Sequence, residues 1–546
     1  MQSNITIGLG TDIKHIDSLV INWTDNTYST VYNLPVNRKV SIIKEQSNPH
    51  DYNALKKKNT NFHLELVHRS VFKHVSSNVV DFNRDRLLPM MYSNETPSLA
   101  KGDIDGDGIK ELYVGGGRDQ GGLLINFKDQ KLKTSLPKSF AKYSASEETK
   151  ALFLDVDKDG DLDFIMAVGG RSFSQGSDAL LNKLFLNDGH GNFAEAPVSL
   201  PSIGFISTSA VASIDFDKDG DEDILVGERF DPFVYGIGGK VFLLENDGNG
   251  AFKDVTKDFA SCLQKIGMVT DIEVQDFNGD GWSDIVIAGD WMPITFLQNK
   301  NKTFVDVSAE FDLTNTQGWW HDIESGDFNK DGKIDFVFGN HGLNTFFKNG
   351  DRMYVSDFDK NGSLEQIYCT SINGKYFPLV DKDEFLSQMP SLKKKLLYYK
   401  DYGKKSIDEI FPKAVLDEAR VFEVKVLAST LLLSGAKGYS RMALPLEAQY
   451  SPIYSLSVSD FDNDGVEDVI AGGNQYQVKP QFGRYDASNG WFFKGVLKDG
   501  QFTFNRGIDL NVKGQIRDIE FVEVKGTKYI LFAKHNDDLE VFKVSH

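Results

Sequence analysis

Short apolar runs recur along the chain, and each opens out of an acidic, glycine-bearing turn. Leu112-Tyr113-Val114, Phe164-Ile165-Met166, Ile224-Leu225-Val226, Ile285-Val286-Ile287, Phe336-Val337-Phe338 and Val469-Ile470-Ala471 are the clearest. Their shortness and their β-branched and aromatic content predict buried strands. From about Asp381 to Ala419 the periodicity turns helical, with Pro390 and Pro412 as breaks and Ser406-Ile407-Asp408-Glu409 in capping-box form. Ile516 to Val544 predicts about three strands with no acidic turn. Phe62-His63-Leu64-Glu65-Leu66-Val67 reads as a strand that could close a sheet from the other end of the chain.

The acidic turn has the form D-x-[DN]-x-[DN]-G-x-x-[DE] and occurs seven times. Positions 1, 3, 5 and 9 are Asp103, Asp105, Asp107 and Glu111 in the first copy; Asp155, Asp157, Asp159 and Asp163 in the second; and Asp215, Asp217, Asp219 and Asp223 in the third. They are Asp276, Asn278, Asp280 and Asp284 in the fourth, and Asp327, Asn329, Asp331 and Asp335 in the fifth. The sixth has Asp357, Asp359, Asn361 and Glu365, and the seventh Asp460, Asp462, Asp464 and Asp468. Calcium takes six to eight oxygens in a flexible cage. Side chains at positions 1, 3 and 5 converge only if the chain turns sharply, which the glycine at position 6 permits. Position 7 would offer a backbone carbonyl, so its side chain is free to vary. An EF-hand would place a bidentate Glu at position 12. Here position 12 is apolar or aromatic every time, from Val114 to Ala471, so position 9 closes the loop and a strand follows.

Successive loops start 52, 60, 61, 51, 30 and 103 residues apart. A four-stranded propeller blade needs roughly 40–60 residues, so the first four spacings fit one blade each. The expectation is an all-β, calcium-binding β-propeller of eight blades, or seven if the short fifth unit is not a blade of its own. The helical stretch, about 381–420, reads as an insertion in the sixth blade, either a clasp or a lid. Residues 1–46 form a partial β domain, 47–96 a connector with the closing strand, and 97–546 the propeller.

Charge strengthens the metal reading. The 546-residue chain has 79 acidic and 60 basic side chains, a net charge of −19. That excludes a general nucleic-acid binder, which needs a basic footprint. The four cage positions of the seven loops hold 25 carboxylates, which would repel one another without counter-charge. Seven Ca²⁺ would bring the net charge to −5, fourteen units less negative. No apolar run approaches the ~18 residues of a membrane helix. Cys262 and Cys369 are too few for a disulfide framework or a zinc site.

Loops of this form followed by an apolar strand resemble the FG-GAP and VCBS repeats of integrin-α-like propellers. Ile7-Gly8-Leu9-Gly10, Val20-Ile21-Asn22-Trp23 and Leu34-Pro35-Val36-Asn37 resemble the latter half of an ASPIC/UnbV domain. Pro390-Ser391-Leu392-Lys393-Lys394, with Ile410-Phe411-Pro412, Gln449 to Pro452 and Gly483 to Ser488, is similar to secreted or surface VCBS-repeat proteins of Bacteroidetes-type bacteria. The resemblance implies a propeller fold, a C-terminal piece of a longer polypeptide, and a place that is extracellular, periplasmic or on the outer-membrane surface. Extracellular calcium modules bind at roughly 10⁻⁴–10⁻³ M, which fits such a place.

If the acidic loops share one face, the segments after each second strand share the other. These carry Arg118, Arg171, Arg229, Trp291, His341 and Tyr476, with Arg484 further along the last of them. Aromatic faces and guanidinium forks suit a glycan or a surface protein; the bland alternative is that they tie neighbouring blades together. Three functions follow: a non-enzymatic binding or adhesion module with structural calcium, a propeller-type polysaccharide lyase or hydrolase using a His or a carboxylate pair, with His321 and His341 as the candidates, and a purely architectural repeat. No G-x-S-x-G, H-E-x-x-H or phosphate-binding glycine loop is present. The first reading is preferred.

Overall fold

The computed structural model describes residues 13–22, 27–42, 48–49, 62–93, 95–128, 131–174, 176–198, 200–436 and 438–545. The chain divides into two compact units, Met1–Asn61 and Phe62–His546. In the first, strands His15–Asn22 and Thr27–Pro35 pair antiparallel, and Asn48–Pro49 adds to the edge. The Ile7–Gly10 stretch and Trp23 lie outside the described residues.

The second unit is a ring of seven antiparallel sheets, each built on four strands, with Gly318–Trp319 added to the fourth sheet as a fifth strand. Blade 1 comprises Leu99–Gly102, Glu111–Val114, Leu123–Lys128 and Lys131–Ser135. Blade 2 comprises Glu148–Leu154, Asp163–Val168, Lys183–Leu186 and Ala194–Glu195, and blade 3 Ser207–Ile214, Asp223–Phe230, Val241–Asn246 and Phe252–Asp254. Blade 4 comprises Met268–Gln275, Asp284–Met292, Thr295–Lys300 and Thr303–Asp306, and blade 5 Asp322–Gly326, Asp335–Gly339, Thr430–Gly435 and Gly438–Ala443. Blade 6 comprises Ile453–Ser459, Asp468–Gly473, Trp491–Phe493 and Ile508–Asp509. Blade 7 comprises Ile516–Val524, Thr527–Lys534 and Asp538–Ser545, and its outer strand is His63–Lys73 from the start of the unit. Each first strand packs on the next, and Ile516–Val524 packs on Leu99–Gly102, so the ring closes. Supplying the last strand from the other end of the chain removes an open edge. The Arg69 Nε–Glu540 Oε1 ion pair at 2.9 Å crosses that seam.

The second strand of each blade lies between two neighbours, which is why it reads as an unbroken apolar run. Asp284–Met292 and Asp223–Phe230 are buried at every position. Seven apolar clusters fill the seven gaps between blades, such as Leu225, Leu243, Ile272, Ile285 and Ile287 between blades 3 and 4. Each fully buried Ile or Leu contributes roughly 1.5–3 kcal/mol, so blade-to-blade contact is the main store of stability.

The ring therefore has seven blades, not eight, and the inserted piece lies in blade 5, not the sixth. Blade 5 is complete, but its third and fourth strands follow an insertion. That insertion carries its own sheet, Arg352–Ser356, Glu365–Ile372, Lys375–Pro378 and Arg420–Glu423, and the sixth acidic loop lies inside it. Spacing counts loops and does not say which sheet owns a loop. The inserted helices are Lys382–Gln388, Tyr399–Tyr402, Ile407–Ile410 and Lys413–Glu418. The Ser406 N–H donates to Glu409 Oε2 at 2.9 Å, the reciprocal half of the capping box. Phe358, Ile367, Phe385, Ile410 and Phe411 give the insertion a core of its own.

Candidate metal centres and the opposite face

Six of the acidic loops join the first and second strands of blades 1 to 6, and the remaining one, the sixth along the chain, joins the first two strands of the inserted sheet. Their backbones repeat closely. The position-6 glycines all have positive φ, from +79° at Gly332 to +96° at Gly160. Position 4 is left-handed in all seven as well, including non-glycine residues Lys158, Lys218, Lys330, Lys360 and Asn463. Two left-handed residues two apart fold the chain back on itself, and the sequence reading recognised only one of them. The N–H of position 7 donates to the position-5 side chain in every loop, at 2.7 to 3.1 Å. In six loops the glycine N–H donates to the position-1 carboxylate, at 2.7 to 3.1 Å.

Once those bonds are made, the remaining oxygens point at a common centre. In five loops three carboxylate oxygens lie within 4.8 Å of one another: Asp103, Asp105 and Asp107; Asp155, Asp157 and Asp163; Asp215, Asp217 and Asp223; Asp357, Asp359 and Glu365; and Asp460, Asp462 and Asp464. Oδ1 of Asp103, Asp155, Asp157, Asp215, Asp359 and Asp462, and Oε1 of Glu365, are buried and accept no hydrogen bond. Buried oxygens are left without donors only at a cost, unless a cation fills the space between them. The donor set is all oxygen and acidic, which fits a hard divalent cation and calcium in particular.

The loops with Asn at position 3 differ. Asn278 Nδ2 donates to Asp284 Oδ2 at 2.9 Å, and Asn329 Nδ2 to the Ser434 carbonyl at 3.0 Å. Asp276, Asp280 and Asp284, and likewise Asp327, Asp331 and Asp335, supply these loops' carboxylates. In the seventh loop the Lys494 ammonium sits between Asp462 and Asp464 and provides part of the counter-charge.

Burial pushes the position-9 carboxyls up, to about 7 for Glu111, Asp163, Asp284, Glu365 and Asp468 and to about 8 for Asp223, with Asp335 raised as well. In all but Asp335, neighbouring loop carboxylates add like-charge repulsion. A bound cation reverses that balance.

A link absent from the sequence reading joins loops one, two and three to the next blade. Asn187, Asn246 and Asn299, at the ends of third strands, donate their N–H to the position-9 acids Asp163, Asp223 and Asp284, each at 2.8 Å. Their side-chain amides donate to the position-2 carbonyls of the preceding blade, Ile104, Val156 and Phe216, at 2.8 to 2.9 Å. The signal was there: an Asn closes the third-strand run in Phe185-Leu186-Asn187, Leu244-Glu245-Asn246 and Leu297-Gln298-Asn299.

A family model described as FG-GAP-like repeat matches residues 155–226 and 276–338, and one described as ASPIC and UnbV matches 1–49. The chain carries FG-GAP-like repeats and an ASPIC and UnbV segment. The matched repeats cover loops two to five and the strands that follow loops two to five. No curated protein matches the chain. Among solved structures it is similar to BBS1N in complex with ARL6DN (8% identity, 88% of this chain and 96% of that one, TM-score 0.40). It is likewise similar to Saccharomyces cerevisiae Sqt1 (10%, 85% and 100%, 0.40) and to the V. cholerae biofilm matrix protein Bap1 (12%, 88% and 91%, 0.37). At these scores the fold rests on the strand pairing described above.

On the opposite face of the repeats the expected ligand surface is largely roofed over. Arg171 is buried against Asp81 and Asp85, and Arg229 against Asp290, at 2.9 Å, and Glu95. Trp291 is buried, with its Nε1 3.2 Å from Tyr235 Oη and its ring edge-on to Trp319. His341 is 2% exposed, bonded to Thr345, and burial pushes its pKa down to about 3. Arg118 is half-buried, donates to the Ser172 carbonyl at 2.6 Å and covers the Phe173 ring. Arg171, Arg229, Trp291 and His341, all covered, are corrections to the ligand-face expectation. Residues 81–95 and the insertion lie across this side, and Leu88, Met90, Tyr92, Met353 and Tyr368 pack onto Phe230, Tyr235 and Trp291. Tyr476 and Arg484 stay near the surface, the guanidinium 3.5 Å from the ring centroid. His321 stacks on Tyr454 at 4.2 Å and lines a narrow axial cavity of about 50 Å³. No described helix is long and apolar enough to cross a membrane.

Proposed function

We propose that this chain is a calcium-stabilised β-propeller that serves outside the cell as a non-enzymatic binding module, with calcium structural and a glycan or surface protein as ligand. The observation that carries the calcium half is the set of buried, donor-less carboxylate oxygens converging in five loops. The loops' link to neighbouring blades through Asn187, Asn246 and Asn299 makes a bound cation a part of the scaffold. Loops of this affinity class fill at millimolar calcium, which supports a place outside the cytosol. Packing of the two candidate histidines favours the binding reading over the enzymatic one: His321 stacks on Tyr454, and His341 is buried against Trp319.

The test has two arms. Calorimetric melting with and without calcium examines the scaffold, and an unchanged melting temperature overturns the calcium role. A glycan array and a surface-protein screen with the intact chain examine the binding role. A chain that binds nothing there, with calcium present, is architectural.

A further inference from the structure

The ring is acidic, yet one edge of the insertion is not. Residues 393–405 hold six lysines and one aspartate in a chain of net charge −19. The Lys395 ammonium turns inward to the Ile410 carbonyl. Lys393, Lys394, Lys400, Lys404 and Lys405 make no ion pair or hydrogen bond among the described residues. In the same stretch Leu397, Tyr398 and Tyr399 are 61, 59 and 61% exposed, three large side chains in a row outside any core. Surfaces rarely present such a run without a partner. The Lys400 ammonium lies 5.3 Å over the Tyr398 ring and that of Lys382 lies 4.8 Å over the Tyr399 ring. Beside them a shallow groove of about 420 Å³ runs between helix Lys382–Gln388 and the turn that follows, lined by Lys382, Leu386, Lys393 and Leu397 and by one acid, Asp383, which accepts from the Tyr399 hydroxyl.

The underside of this segment is well packed. Leu396, Tyr402 and Phe385 are buried in the core of the insertion, and the Tyr402 hydroxyl donates to the Val380 carbonyl at 2.7 Å. The rings take some part in this packing, since the Tyr399 hydroxyl donates to Asp383 and the Tyr398 N–H to Asp401 Oδ2 at 2.9 Å, but among the described residues the five lysines make no ion pair or hydrogen bond that holds the segment in place. Lysine charges that the fold does not use, opposite in sign to the net charge of the chain, are available for a ligand.

We infer that this edge of the insertion binds an acidic polysaccharide. The inference rests on the reading of the chain as a binding module and names its surface and ligand class. Charge complementarity fixes the sign of the partner. Lysines, as compact point charges, suit separate carboxylates along a flexible chain, without the planar fork that arginine offers. The exposed rings and Leu397 suit the apolar faces of sugars lying between those charges. A duplex nucleic acid carries one charge per about 1.7 Å, far denser than this patch answers, and the remaining acidic surface would repel it.

The experiment is affinity electrophoresis of the intact, calcium-loaded chain through gels containing polygalacturonate, dextran sulfate or neutral dextran. The wild type is compared with the Lys393→Gln/Lys394→Gln/Lys400→Gln variant, with Tyr398→Ala, and with Arg484→Ala as a control on a different surface. Expected is retardation of the wild type by polygalacturonate and not by neutral dextran. The triple variant should bind at least about tenfold more weakly, with a smaller salt slope, because three counter-ion contacts are gone. Tyr398→Ala should weaken binding and Arg484→Ala should not, with all melting temperatures unchanged. Equal retardation of the triple variant, no retardation of the wild type by polygalacturonate, or tighter binding to anionic vesicles or duplex DNA each overturns the inference. A chain that fails here but captures a neutral glycan or a surface protein in the screen above remains a binding module with a different surface.

Discussion

Removing calcium should destabilise the ring by an amount that can be worked from the loops. A site that binds only the folded state stabilises it by RT ln(1 + [L]/Kd). At about 2 mM free calcium and a Kd of roughly 10⁻⁴–10⁻³ M, each loop contributes about 0.7–1.8 kcal/mol. Six loops belong to the ring, so their sum is about 4–11 kcal/mol, of the same order as the whole stability of a typical domain. The unit Phe62–His546 has an unfolding entropy of about 1 kcal/mol/K on the usual per-residue scale, which converts that sum into a fall of about 4–11 °C in Tm. Differential scanning calorimetry in calcium and then in excess EDTA reads it directly, and equal concentrations of magnesium should restore little, because magnesium demands tighter octahedral geometry. A Tm that moves by less than about 1 °C on chelation would refute the reasoning at its root. It would mean that the converging oxygens of Asp155, Asp157 and Asp163 and their counterparts are satisfied without a cation.

Three substitutions probe the rest of the account. Arg229→Ala leaves Asp290 and Glu95 without their cation in a buried site, and should cost about 3–5 kcal/mol in urea unfolding, whereas Arg484→Ala should stay within about 0.5 kcal/mol; equal effects would contradict the burial difference between them. Asn246→Ala removes the donors to the Val156 and Glu222 carbonyls and should cost about 1–3 kcal/mol, and an unshifted urea midpoint would deny the link between blades. Gly220→Ala adds a methyl group with nothing within 4 Å of it, at a φ of +84°, so its cost of about 1–2 kcal/mol is conformational alone, and Gly220→Asn should recover part of it.

The repeat was legible because its physics is local. Asp103 to Glu111 and its six counterparts need only a short stretch to declare a sharp turn, four oxygens and an exiting strand, and the helical stretch declared itself through Pro390, Pro412 and the Ser406/Glu409 cap. Blade count was not local. Thr430–Gly435 pairs with Asp335–Gly339 across almost a hundred residues of insertion, and nothing in either strand names its partner. The ligand face failed for a related reason. Arg171, Arg229 and Trp291 look like recognition residues in sequence, because the same side chains that grip a ligand also grip a roof. What decides between the two is whether another segment covers them, and Asp81, Asp85 and Glu95 lie far upstream.

The two faces of the ring now have different relations to function. On one, the position-9 acids Asp163, Asp223 and Asp284 each accept an N–H from an Asn whose side chain holds the preceding blade, so a cation bound at Asp223 would be felt at Val156. Energy gained at the loop is thereby delivered to the blade interface, which makes these sites poor candidates for a ligand that must come and go. On the other face, Trp291 and Tyr235 are covered by Tyr92, Met353 and Tyr368, and uncovering them would expose a large apolar cluster to water. A propeller stiffened on one side and roofed on the other presents its recognition chemistry at its edges. The edge of Lys393 to Lys405 joins unpaired lysine charge to exposed aromatic surface, on a segment whose underside, Leu396 and Tyr402, anchors it in the core of the insertion.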